Sequence, residues 1–225
     1  MTDQELRETR QQLHWTQKQA GAKLGVSQPY LSLLENGLRP VPASFVNRLA
    51  KHALLPVTSL PLEDKPGFDP QAFAESLGAL GYRRFSYLAK SDHRENPAAL
   101  LLRALRQDEL EPRLTEALPW LLLSYPKLNW DWLVEHAKRQ NLQNRLGFLV
   151  SVARELAENQ GAGEPVSTLA RWEHSLEDAR LAKVDVLCRR LTSAEQQYFQ
   201  THRSPRAMHW NLLTGLTADT IQYGG

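Results

Sequence analysis

Apolar residues return at helical spacing through the first fifty positions. Leu6 and Leu13 stand seven apart and predict an inward stripe on a helix from Asp3 to about Leu13, with Thr2 as its cap. Between Trp15 and Gly37 two short helical segments flank Leu24-Gly25-Val26. The second opens on Ser27, whose hydroxyl can accept from a free backbone N–H, and carries Pro29 in its first turn, where a missing donor costs nothing. Tyr30, Leu31, Leu33 and Leu34 continue it to Gly37, which ends a helix cheaply in a left-handed conformation. Phe45, Val46 and Leu49 mark one more helix, from about Ala43 to His52. Prolines at 56, 61, 66 and 70 then interrupt the pattern and predict a stiff linker over about residues 54–70. The boundary falls near residue 65, separating a unit at 1–64 from a second region at 69–225.

The second region keeps the helical period. Helices are expected at Pro70–Ala89, Pro97–Leu110, Pro112–Ser124, Trp130–Gln140, Leu142–Asn159, Pro165–Leu191, Ser193–His202 and Pro205–Leu213. No stretch has the β-branched alternation of a strand. Leucine-rich segments near Leu100, Leu121 and Leu142 recur about 21 residues apart, but no repeat persists at the period of about 34 residues of a helical-hairpin solenoid. A compact multi-helix bundle is therefore expected. Gly161-Ala162-Gly163 is a flexible break that leaves one bundle or two open. The long Pro165–Leu191 segment is read either as an interface helix or as the central helix of the core.

Two short helices around a turn glycine make a helix-turn-helix. Thr16-Gln17, Leu24-Gly25-Val26-Ser27, Leu31-Ser32 and Glu35-Asn36-Gly37 together resemble the signature of the Cro/C1-type (XRE) family, which includes the phage lambda-type repressors. The resemblance covers about residues 4–60, roughly a quarter of the chain. It implies a lambda-repressor-like helix-turn-helix domain, and with the helical period of residues 69–225 the expected fold is all-α, the C-terminal helical domain serving dimerisation, effector or partner binding. The departures are Ala20 and Gly21, where the family carries a larger apolar residue followed by Ala. Gly21 costs roughly 1 kcal/mol of helix propensity relative to Ala and is read as a packing variation that lets the two helices approach.

The implied partner is double-stranded DNA, with Ser27–Glu35 in the major groove. Gln28 leads the base contacts because its amide can both donate to and accept from adenine, with Ser32 one turn on, Tyr30 near the backbone or a thymine methyl, and Leu33 offering apolar contact. The resemblance supports Gln17, Gln28 and Asn36 as DNA contacts. Gln17, Ser27 and Asn36 are assigned to phosphates, and Lys18, Lys23 and Arg39 are added on charge alone. It also implies an ion pair between Arg10 and Glu35 that orients the recognition helix. One short helix reads few base pairs, so a homodimer on two half-sites is expected.

Charge supports that division. Residues 1–60 hold seven basic against four acidic residues and the remainder twenty against twenty-one, within a net charge of +2. A weakly basic head on a neutral body suits a DNA reader with a partner domain. The polar start MTDQELRETRQQ is no signal peptide, no apolar run is long enough to span a membrane, and one cysteine excludes an internal disulfide. A cytoplasmic location is expected. The seven histidines are scattered, and no phosphate loop or HExxH motif occurs, so no metal, cofactor or enzymatic role is expected. Cys188 is read as a buried structural thiol inside a helix. Trp120, Trp130 and Trp132 are candidates for a partner or ligand surface, with core packing as the competing reading. Function is thus expected as an operator-binding regulator, most simply a homodimeric autorepressor. The alternatives are an antitoxin that binds its toxin through the C-terminal domain, and a peptide- or ligand-sensing regulator.

Overall fold

The computed structural model describes residues 1–50, 52, 55–63, 67–89 and 94–221. The chain divides into two compact units, Met1–Glu63 and Asp64–Gly225. Parts of the linker expected over 54–70, with its boundary near 65, lie outside the described residues.

In the N-terminal unit, local capping sets where each of the first three helices begins. Helix α1 (Asp3–Gln12) starts with a reciprocal Thr2–Glu5 capping box, and α2 (Gln17–Leu24) with Thr16–Gln19. Gly25 stops α2 at φ 66°, a left-handed conformation that a side chain would strain. Ser27 accepts from the Tyr30 N–H to open α3 (Gln28–Glu35). Helix α4 (Ala43–Leu49) ends about one turn before the expected His52. Leu6, Ala20, Leu24, Leu31, Leu34, Phe45, Val46, Leu49 and Leu55 form one buried core. Each buried Leu or Phe contributes about 1.5–3 kcal/mol. Gly21 explains one departure from the family pattern: a Cβ there would stand 2.8 Å from the Val26 carbonyl oxygen. The close α2–α3 turn therefore uses the missing side chain.

The C-terminal unit is built around α9 (Gln143–Asn159), which is buried on nearly every face. Packed on it are α7 (Pro112–Ser124), α8 (Trp130–Arg139), α10 (Gly163–Glu177) and α12 (Pro205–His209); α6 (Pro97–Leu105) packs on α7 and α8, and α5 (Pro70–Ala79) and α11 (Ser193–Thr201) belong to the same unit. The Gly161 turn at φ 69° joins α9 and α10 as a packed hairpin within one unit, so it does not divide the bundle.

Several expected helices are shorter. Pro70–Ala89 breaks at Gly81, with φ 101°, and resumes as a 3-10 segment at Arg83–Leu88. Pro97–Leu110 stops at Leu105. Pro165–Leu191 ends at Glu177, because side chains of α9 claim the chain beyond it. Gln143 Nε2 donates to Ala179 O at 3.0 Å and Asn144 Nδ2 to Leu181 O at 2.9 Å, while Asn144 Oδ1 accepts from the Leu181 N–H at 2.8 Å. These bonds replace the helical pairing the sequence pattern implied. The helix at Pro205–Leu213 likewise stops at His209, and Asn211 at φ 53° leads into a strand.

The expectation of no strand is corrected on a small scale. Asp185–Val186 (β1) and Leu212–Leu213 (β2) pair in parallel, Asp185 opposite Leu212. Arg145 of α9 anchors β1. Its Nε and Nη2 donate to the two carboxylate oxygens of Asp185 at 2.7 and 3.0 Å, and its Nη1 donates to the carbonyls of Leu105 and Gln107. Cys188 is not in a helix: it has φ 48° and is fully buried, its thiol 3.5 Å from the Ala104 carbonyl. Burial pushes the thiol up to about 12, although the Arg145 charge opposes this, so it stays protonated.

Candidate nucleic-acid interface

A hydrogen-bonded relay links α1, α2 and α3. Glu35, at the last position of α3, has a side chain with no solvent exposure. Arg10 of α1 meets it through Nε on Oε1 at 2.6 Å and Nη2 on Oε2 at 3.1 Å, and spends Nη1 on the Trp15 carbonyl at 2.8 Å. Gln17, the first residue of α2, donates Nε2 to Glu35 Oε2 at 3.0 Å and accepts at Oε1 from Gln28 Nε2 at 2.8 Å. Burial alone would raise the Glu35 carboxyl. Hydrogen bonds from Arg10 and Gln17 and the charges of Arg10 and Arg7 outweigh burial and hold it below its ordinary value of 4.5. The carboxylate is a charged hub that ties all three helices together.

This relay sets what Gln28 can do. Gln28 is exposed at the N-terminus of α3, beside the Ser27 cap. One Nε2 hydrogen goes to Gln17. The second hydrogen and the Oε1 lone pairs remain for the N7 acceptor and N6 donor of an adenine. Fixing one rotamer beforehand reduces the ordering cost of such a contact.

The other predicted positions divide. Ser32 and Leu33 are half-buried on α3, and Ser32 Oγ accepts from Asn36 Nδ2 at 3.3 Å. Tyr30 packs its ring against the core, with the Arg39 guanidinium 5.8 Å from the ring centroid, so its ring is part of the scaffold. Lys23 lies 5.1 Å over the Trp15 ring, while Lys18 is exposed at the start of α2. Ser27, Asn36 and Arg39 are exposed at the two ends of α3. Gln17 is the predicted phosphate residue with the least freedom, since both ends of its amide are engaged.

Sequence reasoning missed Arg7. Its Nη2 donates to the Glu35 carbonyl at 2.9 Å and to Asn36 Oδ1 at 2.5 Å. The first bond satisfies a carbonyl at the C-terminus of α3, where a cation is favoured. The second fixes the Asn36 amide, whose Nδ2 donates to Ser32 Oγ. The signal was present: Arg7 lies three residues before Arg10 on the same face of α1.

In the C-terminal unit the three tryptophans take separate partners. Trp130 is 4% exposed and stacks on Trp172 at 5.5 Å, so it is core and not surface. Trp120 packs on Tyr82 and Tyr125, and half-buried Trp132 stacks on His136. Core packing, the competing reading, holds for Trp130, while Trp120 and Trp132 are half-buried. Among the described residues no group of three His, Cys, Asp or Glu side chains is placed to hold a metal, and no helix is long and apolar enough to cross a membrane.

Residues 4–60 match a family model described as a helix-turn-helix domain, of the XRE, or Cro/C1, type. No curated protein and no solved structure matches the chain.

Proposed function

Starting from the XRE-type helix-turn-helix domain carried by residues 4–60, we propose that this DNA-binding regulator is a homodimeric, sequence-specific repressor that reads an operator upstream of its own gene. The observation that carries the reading is Gln28. It stands exposed at the head of α3 and is held through Gln17 by the buried Arg10–Glu35 pair. A glutamine so held offers a donor and an acceptor side by side, as bidentate recognition of adenine requires. Lys18 and Arg39 add charge near the two ends of the motif for phosphates. Dimerisation is supported by size: the eight residues of α3 reach only a few base pairs, and two copies on a symmetric site multiply that selectivity.

The test is fluorescence anisotropy of the full chain with its own upstream DNA and with scrambled DNA, across a salt series. The operator reading expects a preference of about a thousandfold or more that collapses in Gln28→Ala. Binding to both DNAs should weaken steeply with salt, as phosphate contacts release counterions. Equal, weak binding to both DNAs overturns the autorepressor reading. An analytical-ultracentrifugation mass of one chain on the operator overturns the dimer.

A further inference from the structure

The C-terminal unit contains a cavity of about 250 Å³. Leu110, Leu187, Phe199 and Leu213 supply apolar wall, and the leucines are otherwise buried. Glu116 and Arg189 border the same space with opposite charges. None of Trp120, Trp130 and Trp132 lines it.

The backbone around this cavity is unusually constrained. Cys188, between wall residues Leu187 and Arg189, holds a left-handed conformation that a non-glycine residue adopts at a cost, and such strain gathers at functional sites. It is held there because its carbonyl accepts from the Leu110 N–H at 2.8 Å, which joins two parts of the wall. The turn leaves Leu187 buried and Arg189 exposed. Opposite, a Cβ at Gly215 would lie 3.1 Å from the Phe199 ring, so the glycine lets α11 lay that ring into the wall. No residue of α11 is buried; Phe199 is half-buried and is its apolar attachment on this side.

The two charges have partners that a ligand can replace. Glu116 pairs with Arg84 at 3.0 Å and Arg189 with Glu195 at 2.5 Å, in both cases between side chains at least 28% exposed. Pairs this exposed contribute little. We propose that the cavity binds a small zwitterion with an apolar side chain, a free branched or aromatic α-amino acid or a dipeptide of these. Its carboxylate meets Arg189, its ammonium meets Glu116, and its side chain lies among Leu110, Leu187, Phe199 and Leu213. Size agrees: the volume is below the roughly 300–1,000 Å³ of sites that take drug-sized molecules. A polyanion such as a nucleotide finds a carboxylate and a single arginine here, a poor match for phosphates.

The site goes beyond the DNA-binding reading and is tested without DNA. The full-length protein is titrated calorimetrically with L-leucine and L-phenylalanine, then with N-acetyl-L-leucine, which lacks the ammonium, and L-leucinamide, which lacks the carboxylate. The proposal expects both free amino acids to bind and each capped analogue to bind about tenfold more weakly or worse. Arg189→Gln should erase the preference for leucine over leucinamide while keeping the preference over N-acetyl-leucine. Glu116→Gln should do the reverse. Both residues lie at the rim, and thermal melts verify that the variants remain folded. Absence of binding by either amino acid overturns the site, as does equal affinity for the capped analogues or insensitivity to Arg189→Gln. Any of these outcomes leaves operator binding, measured separately by anisotropy, where it stood.

Discussion

The two units use the same helical vocabulary but punctuate it differently. In Met1–Glu63, each of the first three helices starts on its own side-chain cap, and Gly25 stops α2. In Asp64–Gly225, capping also opens several helices, as Asp69, Asn96 and Thr192 do. Where the chain leaves α10 is decided by residues far away in sequence. Asn144 and Gln143 take the carbonyls after α10, and Arg145 takes β1. Local rules therefore suffice for a small DNA-reading domain and fail at the ends of helices that surround a buried central one.

The largest effect should come from the device that holds β1. Arg145→Ala leaves Asp185 and two carbonyls without their partner in a site where the arginine side chain is only 7% exposed. A loss of about 3–5 kcal/mol is expected, read as a lower urea midpoint together with faster amide exchange in residues 181–188. Unchanged exchange there would show that β1 is held by something other than Arg145.

The counterpart in the N-terminal unit is Arg10→Ala, which strands a fully buried carboxylate with Gln17 as its remaining hydrogen-bond donor. The expected cost is about 3 kcal/mol, at the low end of the range for a broken buried pair. The same pair makes this unit sensitive to acid. A carboxyl whose folded value lies below its unfolded value contributes stability that is complete above the unfolded value and is lost as pH falls through the folded one. Glu35 is depressed from 4.5, so thermal melts of the wild type should fall as pH drops below that value. Glu35→Gln should flatten this dependence, and an unaltered acid limb in that variant would assign it to other carboxylates.

The smallest effect sharpens the role of sequence propensity. Gly21→Ala should gain about 1 kcal/mol of helix propensity in isolation. In the folded domain its Cβ would crowd the Val26 carbonyl at 2.8 Å, a backbone atom that cannot swing aside. Overpacking costs about 1–3 kcal/mol, so the net expectation is a loss of up to about 2 kcal/mol. A raised melting temperature would mean that the α2–α3 turn relaxes freely.

Much of the helix-turn-helix geometry was legible beforehand because caps, turn glycine and the spacing from Gln17 to Glu35 are all local features. Gln28 was named from its place at the helix start, and Arg10 and Glu35 from the family resemblance. Arg7 was not: its partners lie 28 and 29 residues away, and its one local mark is its place on the Arg10 face of α1. The tryptophans stayed open between core and surface for a related reason. A sequence shows that Trp130 and Trp132 point apart, but not that Trp172 waits to cover the first.

By itself, the sequence determined the helical class, the starts of most helices and the helix-turn-helix with its capping residues. Each depends on interactions within about four positions of the chain, the range of a helical turn. Only the tertiary structure decided which helix lies at the centre, where α10 ends, that two dipeptides pair as strands and that Cys188 bends left-handed beside a cavity. The end of α10 and the placing of β1 rest on buried amide and guanidinium groups of α9 whose partners lie more than thirty residues away, and the Cys188 turn rests on the hydrogen bond from the Leu110 N–H.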